Sequence, residues 1–480
     1  MSKSAVMLYD TMSRKKCEMK PADGKLFKYY CCGPTVYGPA HIGNFRTFVV
    51  QDLFRRVLEL SGVKTKHVRN ITDVDDKTIR GAQEEGVTLD KFTSKWADKF
   101  HIDCDELNLL PPHEEPSAVC HLSQQIKMIE LLVERGHAYQ GSDGSVYYSV
   151  ESFEGYGKLS NLENREVSAG ASQRVDSDEY DKDSVADFVL WKARKEEDGD
   201  NFWESPWGEG RPGWHLECSA MCHEHLGATI DLHSGGVDLT FPHHENEIAQ
   251  SEGAWGQKFS NYWFHITHLM VDGGKMSKSL GNLYTLSDIK EKGYSAADLR
   301  YALLMGHYSK PLNFTFQSLD TAKQAIKRLR KLSDNLSAVV EDSEDYAVVQ
   351  KKISQGLIYD FGVFTPAWES LLDDLNTAEA LGRVFTVVGE LEKKISSKTL
   401  DATEAGPARF GLFMILEAFG FILPEEERVE VPAEVQELAE KRLQAKKDKD
   451  YALADQLRDE IKSLGWQVKD APGGYTVEPL

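Results

Sequence analysis

No run of about 18 apolar residues occurs in this chain, so no membrane-spanning helix is expected. Met1 to Asp10 also lacks the basic-then-apolar build of a secretory leader, and the expected location is the cytoplasm. Basic residues are scarce: 56 Lys and Arg stand against 77 Asp and Glu, for a formal net charge of −21. That excludes a general polyanion binder and confines any nucleic-acid contact to local basic faces. Cysteine is sparse too. Cys17, Cys31, Cys32, Cys104, Cys120, Cys218 and Cys222 are an odd set scattered over 480 residues, which rules out a disulfide framework and leaves free thiols or metal ligands. Neither an internal repeat nor a long low-complexity tract is present.

What is present is a chain too long for one core, with two to four domains expected. Leu26 to Cys32 is a short apolar run that reads as a buried strand. The glycine- and proline-rich loop Gly33 to Gly43 follows it. Val50, Leu53, Phe54, Val57 and Leu58 then recur at helical spacing, giving a helix with one apolar stripe that ends at Gly62. A second strand over about Lys64 to Ile71 completes strand–helix–strand, the unit of a parallel nucleotide-binding sheet. From about Ala118 to Pro212 the pattern turns irregular, and the acid-rich stretch between Val175 and Asp187 reads as a solvated insertion without a core. Strong patterning returns from Gly213 to His307. After Asn313 the chain is helical, with a basic cluster at Lys323, Lys327, Arg328, Arg330 and Lys331. The tail predicts helices at about Ala433 to Lys446 and Tyr451 to Leu464, the second burying Leu453, Leu457, Ile461 and Leu464. A terminal hairpin follows, Trp466 to Lys469 and Tyr475 to Val477.

Two short motifs carry chemistry. His41-Ile-Gly-Asn44 sits between the first strand and the first helix. A glycine there lets backbone approach a phosphate, and the helix start offers free N–H groups and a positive dipole end. Lys275-Met-Ser-Lys-Ser279 follows the glycine pair Gly273-Gly274. Two lysines three apart on such a hinge can supply charge where a phosphoryl transition state develops it. Alone, the first motif is an ordinary turn and the second an exposed basic loop; together they resemble the HIGH and KMSKS signatures of class I aminoacyl-tRNA synthetases. The fourth position of the first motif is Asn44 in place of histidine.

Three further segments narrow the resemblance: Arg69-Asn-Ile-Thr-Asp-Val-Asp-Asp76, Gly213-Trp-His-Leu-Glu-Cys-Ser-Ala-Met221 and Phe241-Pro-His-His-Glu-Asn-Glu247. With Cys32 at the end of the first strand, they are similar to the cysteinyl-tRNA synthetase family over the whole chain. The resemblance implies an α/β fold, a Rossmann-type parallel-sheet catalytic domain with an insertion, then an all-α helical bundle and a small anticodon-binding domain. The expected segments are 1–117 and 213–262 for the two halves of the sheet domain, 118–212 for the connective insertion, 263–312 for a stem-contact region, 313–425 for the bundle and 426–480 for the tail.

It also implies one zinc ion on Cys32, Cys218, His243 and Glu247. The residue types agree, since thiolate, imidazole and carboxylate are ordinary zinc donors, and His243 and Glu247, at i and i+4, share a helix face. A compact alternative, Cys218 with Cys222, His223 and His225, stays open. His244 and Glu245 are expected at the helix surface or near ATP. By the same resemblance Thr35, Thr72, Trp214, His233 and Asp238 contact cysteine, with Trp214 covering it and Asp238 holding the ammonium group. His41, Gly43, Asn44, Lys275 and Lys278 bind ATP, with Mg2+, and His41, Lys275 and Lys278 assist the chemistry. The implied partners are L-cysteine, ATP and the tRNA specific for cysteine, with no membrane and a monomeric state. Arg442, Lys446, Lys447 and Lys449, with Trp466 and Tyr475 for base stacking, are expected to read the tRNA. Two rivals remain. A ligase joining activated cysteine to an amino sugar is disfavoured by the long helical tail. A non-catalytic relative is disfavoured by the intact Lys275 to Ser279.

Overall fold

The computed structural model describes residues 5–162, 174–175, 187–276, 280–340, 360–423, 431–471 and 474–480. The chain divides into two compact units, Met1–Leu423 and Pro424–Leu480. At the centre of the first lies a parallel sheet built from β1 (Phe27–Cys31), α1 (Ile42–Leu60), β2 (Thr65–Arg69), α2 (Trp214–Leu226), β3 (Ile230–Gly236), α3 (Glu245–Trp255) and β4 (Ser260–Ile266). The strand order is β4-β3-β1-β2. Leu232 stands opposite both Tyr29 and Tyr262, and His67 opposite Tyr29. The strands are buried on both faces, as parallel sheets require; Phe27, Tyr29, Tyr30 and Cys31 are inaccessible to solvent. The chain runs outward from β1 to β2, then returns to the other side of β1 to lay down β3. Strand order reverses there, which opens a crevice at the carboxyl ends of β1 and β3, where ligands of such sheets bind.

The single apolar stripe expected on α1 understates its burial. Val50, Leu53, Phe54, Val57 and Leu58 are all in the core, but Arg46, Gln51, Asp52, Arg55 and Arg56 are buried as well. Helices Ala296–Leu303 and Ala402–Phe419 supply partners for the charged face. Asp52 takes Arg56 at 2.8 Å and also pairs with Arg300, while Arg56 reaches Glu417 at 2.7 Å. The helix ends at Ser61, with Gly62 beyond it at φ 79°, the left-handed turn for which glycine is suited.

The insertion is more regular than its sequence suggests. Ala138–Gln140, Val146–Tyr148, Arg174–Val175, Asp187–Ala193 and Gly210–Pro212 form one sheet. Its core joins Val146, Tyr148, Phe188, Leu190 and Trp191 to Leu216 and Ala220 on α2 and to Ala249 and Ala254 on α3. The irregular pattern from Ala118 to Pro212 conceals this core: the short strands are too brief to show period, and their buried face is completed by helices distant in sequence. Most of the acid-rich stretch, 176–186, lies outside the described residues.

Beyond β4, the hairpin Leu269–Val271 and Gly274–Lys275 pairs with Leu312–Phe314. Helices Phe316–Val339, Thr365–Leu372, Thr377–Ser396 and Ala402–Phe419 follow. The second unit holds helices Ala433–Lys447 and Tyr451–Ser463 and the hairpin Trp466–Ala471 with Gly474–Pro479. Its core contains Val435, Leu438, Ala439, Leu457, Ile461, Trp466 and Val468. Two corrections belong here. Leu453 and Leu464 are exposed, and Ala454 takes the first place in the buried stripe. Trp466 is core, not a stacking platform, and Arg442 is buried against Asp470 at 2.9 Å, leaving Lys447 and Lys449 as the open cations of that cluster.

Candidate active site and metal centre

The crevice at the ends of β1 and β3 is floored by sulfur, imidazole and carboxylate. Cys32 follows β1, and its amide donates to the Ser234 carbonyl of β3 at 3.1 Å. Cys218 faces inward from α2, whose start is fixed by Gly213; a Cβ there would lie 2.3 Å from the Val189 carbonyl oxygen. His243 lies in a wide turn, Thr240–His244, and Glu247 in the first turn of α3. Ring and carboxylate meet at 3.1 Å. The donor atoms of Cys32, Cys218, His243 and Glu247 all lie within 4.8 Å of one another and all four residues are buried.

Burial would raise the Glu247 pKa, but His233 and His243 outweigh it and hold the carboxyl at about 2. Burial also opposes charge on His243, yet Glu247 and Cys218 lift it to about 10. Cys218 is drawn down to about 6 by the thiol hydrogen bond from Cys32, whereas burial pushes Cys32 itself up. Without a metal the pocket thus favours a thiolate, an imidazolium and a carboxylate away from water. Isolated buried charges of this kind are costly unless paired or bound to a metal. The donor set fits tetrahedral zinc in type and number.

A second set, Cys32, His233, His244 and Glu247, meets the same distance limit. It shares Cys32 and Glu247 with the first. Supporting bonds surround both: His233 Nε2 to Glu247 Oε2 at 2.7 Å, His215 Nδ1 to His243 Nδ1 at 2.8 Å, and His244 Nδ1 to His265 Nε2 at 2.7 Å. Such outer partners orient ligands and fix their tautomers. The compact alternative does not form among the described residues. His223 stacks on Trp255 and His225 turns to His121 at 3.0 Å, while Cys222 is buried in the core.

The other expected contacts fall into two groups. Trp214, half-buried, covers His243 with ring centroids 4.3 Å apart. Thr35 and Thr72 bridge the loops after β1 and β2, and the buried Thr72 hydroxyl donates to Glu217 at 2.9 Å. His233 lies beneath the cluster, bonded to Glu247. Asp238 is not brought to the cluster: it is exposed, and its charge acts on His41. His244 and Glu245 do not lie at the helix surface, for both are fully enclosed. His244 Nε2 is 3.4 Å from the Cys32 sulfur, and Glu245 accepts from the Ser160 and Gly157 amides of the insertion at 2.6 and 3.0 Å. The sequence hides this because the insertion covers a helix face that would otherwise meet water.

The phosphate motif is a helix cap. His41 Nδ1 accepts from the Asn44 amide at 3.2 Å, and Asn44 Oδ1 accepts from the His41 amide at 3.1 Å. This leaves the proton on His41 Nε2, free to donate outward. Burial lowers the His41 pKa and Asp238 opposes the shift, so the ring is neutral near pH 7. Asn44 thereby has a defined role at the fourth position of the motif, closing the cap. Lys275 is exposed at the end of its hairpin, and Lys278 lies outside the described residues. A separate cavity of about 370 Å³ opens between helix Asp76–Glu85 and the insertion sheet. None of the expected site residues lines it, and its buried Lys192 and Arg211 are paired with Asp76.

Sequence reading missed Asn70, His215, Glu217 and His265. Their signals are slight; His215 and Glu217 stand beside Cys218 in sequence, but nothing there reveals what they bond.

A family model described as tRNA synthetases class I (C) catalytic domain matches residues 18–324. A cysteine–tRNA ligase of Opitutus terrae is 51% identical over 99% of this chain and 99% of that protein. One from Chlamydia caviae is 44% identical over 100% and 99% respectively. Among solved structures, Mycobacterium tuberculosis methionyl-tRNA synthetase in complex with methionyl-adenylate aligns with a TM-score of 0.57 at 14% identity, over 84% of this chain and 92% of that one. At that identity the likeness is one of fold.

Proposed function

The chain belongs to the cysteine–tRNA ligases, a family of class I tRNA synthetases, and on that premise we propose that the buried cluster is a zinc centre that selects cysteine by its sulfur. The enzyme activates cysteine with ATP, forming cysteinyl-adenylate and pyrophosphate, and then transfers cysteine to the 3′ end of tRNA. Cysteine differs from serine by one atom, and apolar packing separates such neighbours by only about 1–3 kcal/mol. Zinc held by Cys32, Cys218, His243 and Glu247 would supply a bond that thiolate sulfur makes and a neutral hydroxyl does not.

The chain's own residues do the rest by position and charge. Trp214 closes the pocket over His243, and Thr72 with Thr35 lines the edge where the substrate backbone lies. His233 orients Glu247 and so acts through the metal ligand. Asp238, whose charge acts on His41, would hold the ammonium group from outside the buried cluster. His41 donates its Nε2 proton to a phosphate oxygen at the start of α1, where Gly43 lets phosphate approach and Asn44 holds the ring. Lys275 and Lys278 stabilise charge on the transferring phosphate, with Mg2+ bound to the triphosphate. Segments 1–117 and 213–262 act as the catalytic halves, 118–212 as the connective insertion, 263–312 as the stem contact, 313–425 as the bundle and 426–480 as the anticodon reader. The partner is the tRNA specific for cysteine, and the enzyme works as a cytoplasmic monomer.

One observation carries the metal reading: four zinc-competent donors within 4.8 Å at the crevice where strand order reverses. Zinc-edge X-ray absorption with and without cysteine tests it. Substrate must add one sulfur neighbour at about 2.3 Å; an unchanged sulfur count leaves zinc structural and moves selectivity to Trp214 and its neighbours. Charging of tRNA in parallel separates this enzyme from a ligase acting on an amino sugar.

A further inference from the structure

Asn70 takes part in none of the roles above, yet it touches three of the segments that build the site. The residue is 1% exposed. Its Oδ1 accepts from the Gly33 amide at 2.8 Å, one residue past Cys32. The Cys218 thiol points at the same oxygen from 3.6 Å. Its Nδ2 donates to Thr72 Oγ1 at 3.1 Å, and that hydroxyl donates onward to Glu217 at 2.9 Å. The backbones are pressed together as well. A Cβ on Gly33 would lie 1.6 Å from the Asn70 carbonyl oxygen, so only glycine fits there.

From this geometry we infer that Asn70 is a positioning residue that fixes the spacing of the two sulfur donors and holds the Thr72 hydroxyl in its bond to Glu217. The inference rests on the zinc reading of the cluster. One planar amide has two ends, and here both are engaged: Oδ1 by the turn that carries Cys32, Nδ2 by Thr72. The plane therefore cannot turn, and Cys218 packs against a fixed edge. With metal bound the Cys218 thiol proton is gone, and the contact that remains is packing that sets where the sulfur sits. Apolar residues of similar size could fill the space but could not tie the Gly33 amide, and that donor would be left buried and unpaired.

The test uses the full-length zinc-loaded enzyme and measures zinc transfer to a chromophoric chelator, together with KM for cysteine and for ATP in pyrophosphate exchange. Asn70→Ala should release zinc about 10–100-fold faster, the usual range for loss of an outer partner. It should raise KM for cysteine about tenfold while KM for ATP stays within about twofold. Asn70→Asp keeps the shape and the Gly33 bond but sets a carboxylate beside the Cys218 sulfur and removes the donor to Thr72. It should shift zinc release and cysteine KM in the same direction, and it decides the matter if the alanine variant does not fold. Wild-type zinc release and cysteine KM in a folded variant would overturn the inference while leaving the zinc centre standing. An equal rise in both KM values would also overturn it, as general loosening. Wild-type enzyme that holds no zinc would overturn the metal reading and this inference together.

Discussion

The Ile42 amide donates to the Tyr284 carbonyl across 2.8 Å, and His41 forms a β-bridge with Thr285 beside it. The loop that begins α1 is thus tied by backbone to the segment just after Lys275–Ser279, although more than two hundred residues separate them in sequence. Backbone bonds thus hold the start of α1 beside the segment that follows the second motif. Preorganisation of this kind is what charge stabilisation requires.

Gly43, at the start of α1, has little room. A Cβ there would lie 3.0 Å from the His41 ring and 3.2 Å from Met276 Sδ. Gly43→Ala should therefore move His41, or lift the lysine loop by a few tenths of an ångström. The expected result is pyrophosphate exchange slowed by about tenfold or more, with zinc content unchanged. Metal analysis and exchange kinetics on one preparation check both halves.

Lys278→Ala should leave cysteine binding nearly intact and slow adenylate formation. Loss of one transition-state donor costs about 2.7–4 kcal/mol, or 10²–10³ in rate. Exchange at the wild-type rate would remove Lys278 from the machinery and leave the exposed Lys275 to carry the charge.

Ending the chain after Leu423 should spare cysteine activation and sharply reduce charging of tRNA. Every proposed zinc, ATP and cysteine contact lies within Met1–Leu423, and Pro424–Leu480 has its own core. Equal charging by the folded truncated enzyme would mean that the tail does not read tRNA.

The sequence made some of this site legible and concealed the rest for identifiable reasons. The spacing of His243 and Glu247 translates directly into a 3.1 Å contact, because i and i+4 meet on one face. The strand–helix–strand unit was readable because α1 carries an unbroken apolar stripe. Cys32 and Cys218 meet only through the sheet, so no local pattern brings them together; resemblance alone named them. Asn70 was invisible because it falls near the end of the expected strand Lys64 to Ile71, where nothing local marks its side chain, and its partners Gly33 and Cys218 lie 37 and 148 residues away. The burial of the charged side of α1 is concealed for the same reason. Arg300, which closes it, stands 248 residues from Asp52.

That buried ion cluster gives the last prediction, one of stability and pH. Burial would raise the Asp52 pKa, but Arg56 and Arg300 outweigh it and hold the carboxyl at about 2, below its ordinary 3.8. A depressed folded-state pKa contributes stability that is fully present above the unfolded value and is lost as pH falls through the folded one. The window is therefore pH 4 down to 2, with on the order of 1 kcal/mol gone by pH 3. Asp52→Asn removes the titrating group and leaves Arg300 and Arg56 buried with less counter-charge, at a cost of about 3–5 kcal/mol near neutrality. Urea unfolding of both proteins between pH 7 and pH 3 gives the comparison. The stability gap should be flat from pH 7 to pH 5 and narrow below pH 4, because only the wild type loses the Asp52 contribution. A gap that stays constant to pH 3 would show that Asp52 titrates alike in the folded and unfolded chains, and that the arginines do not hold its charge.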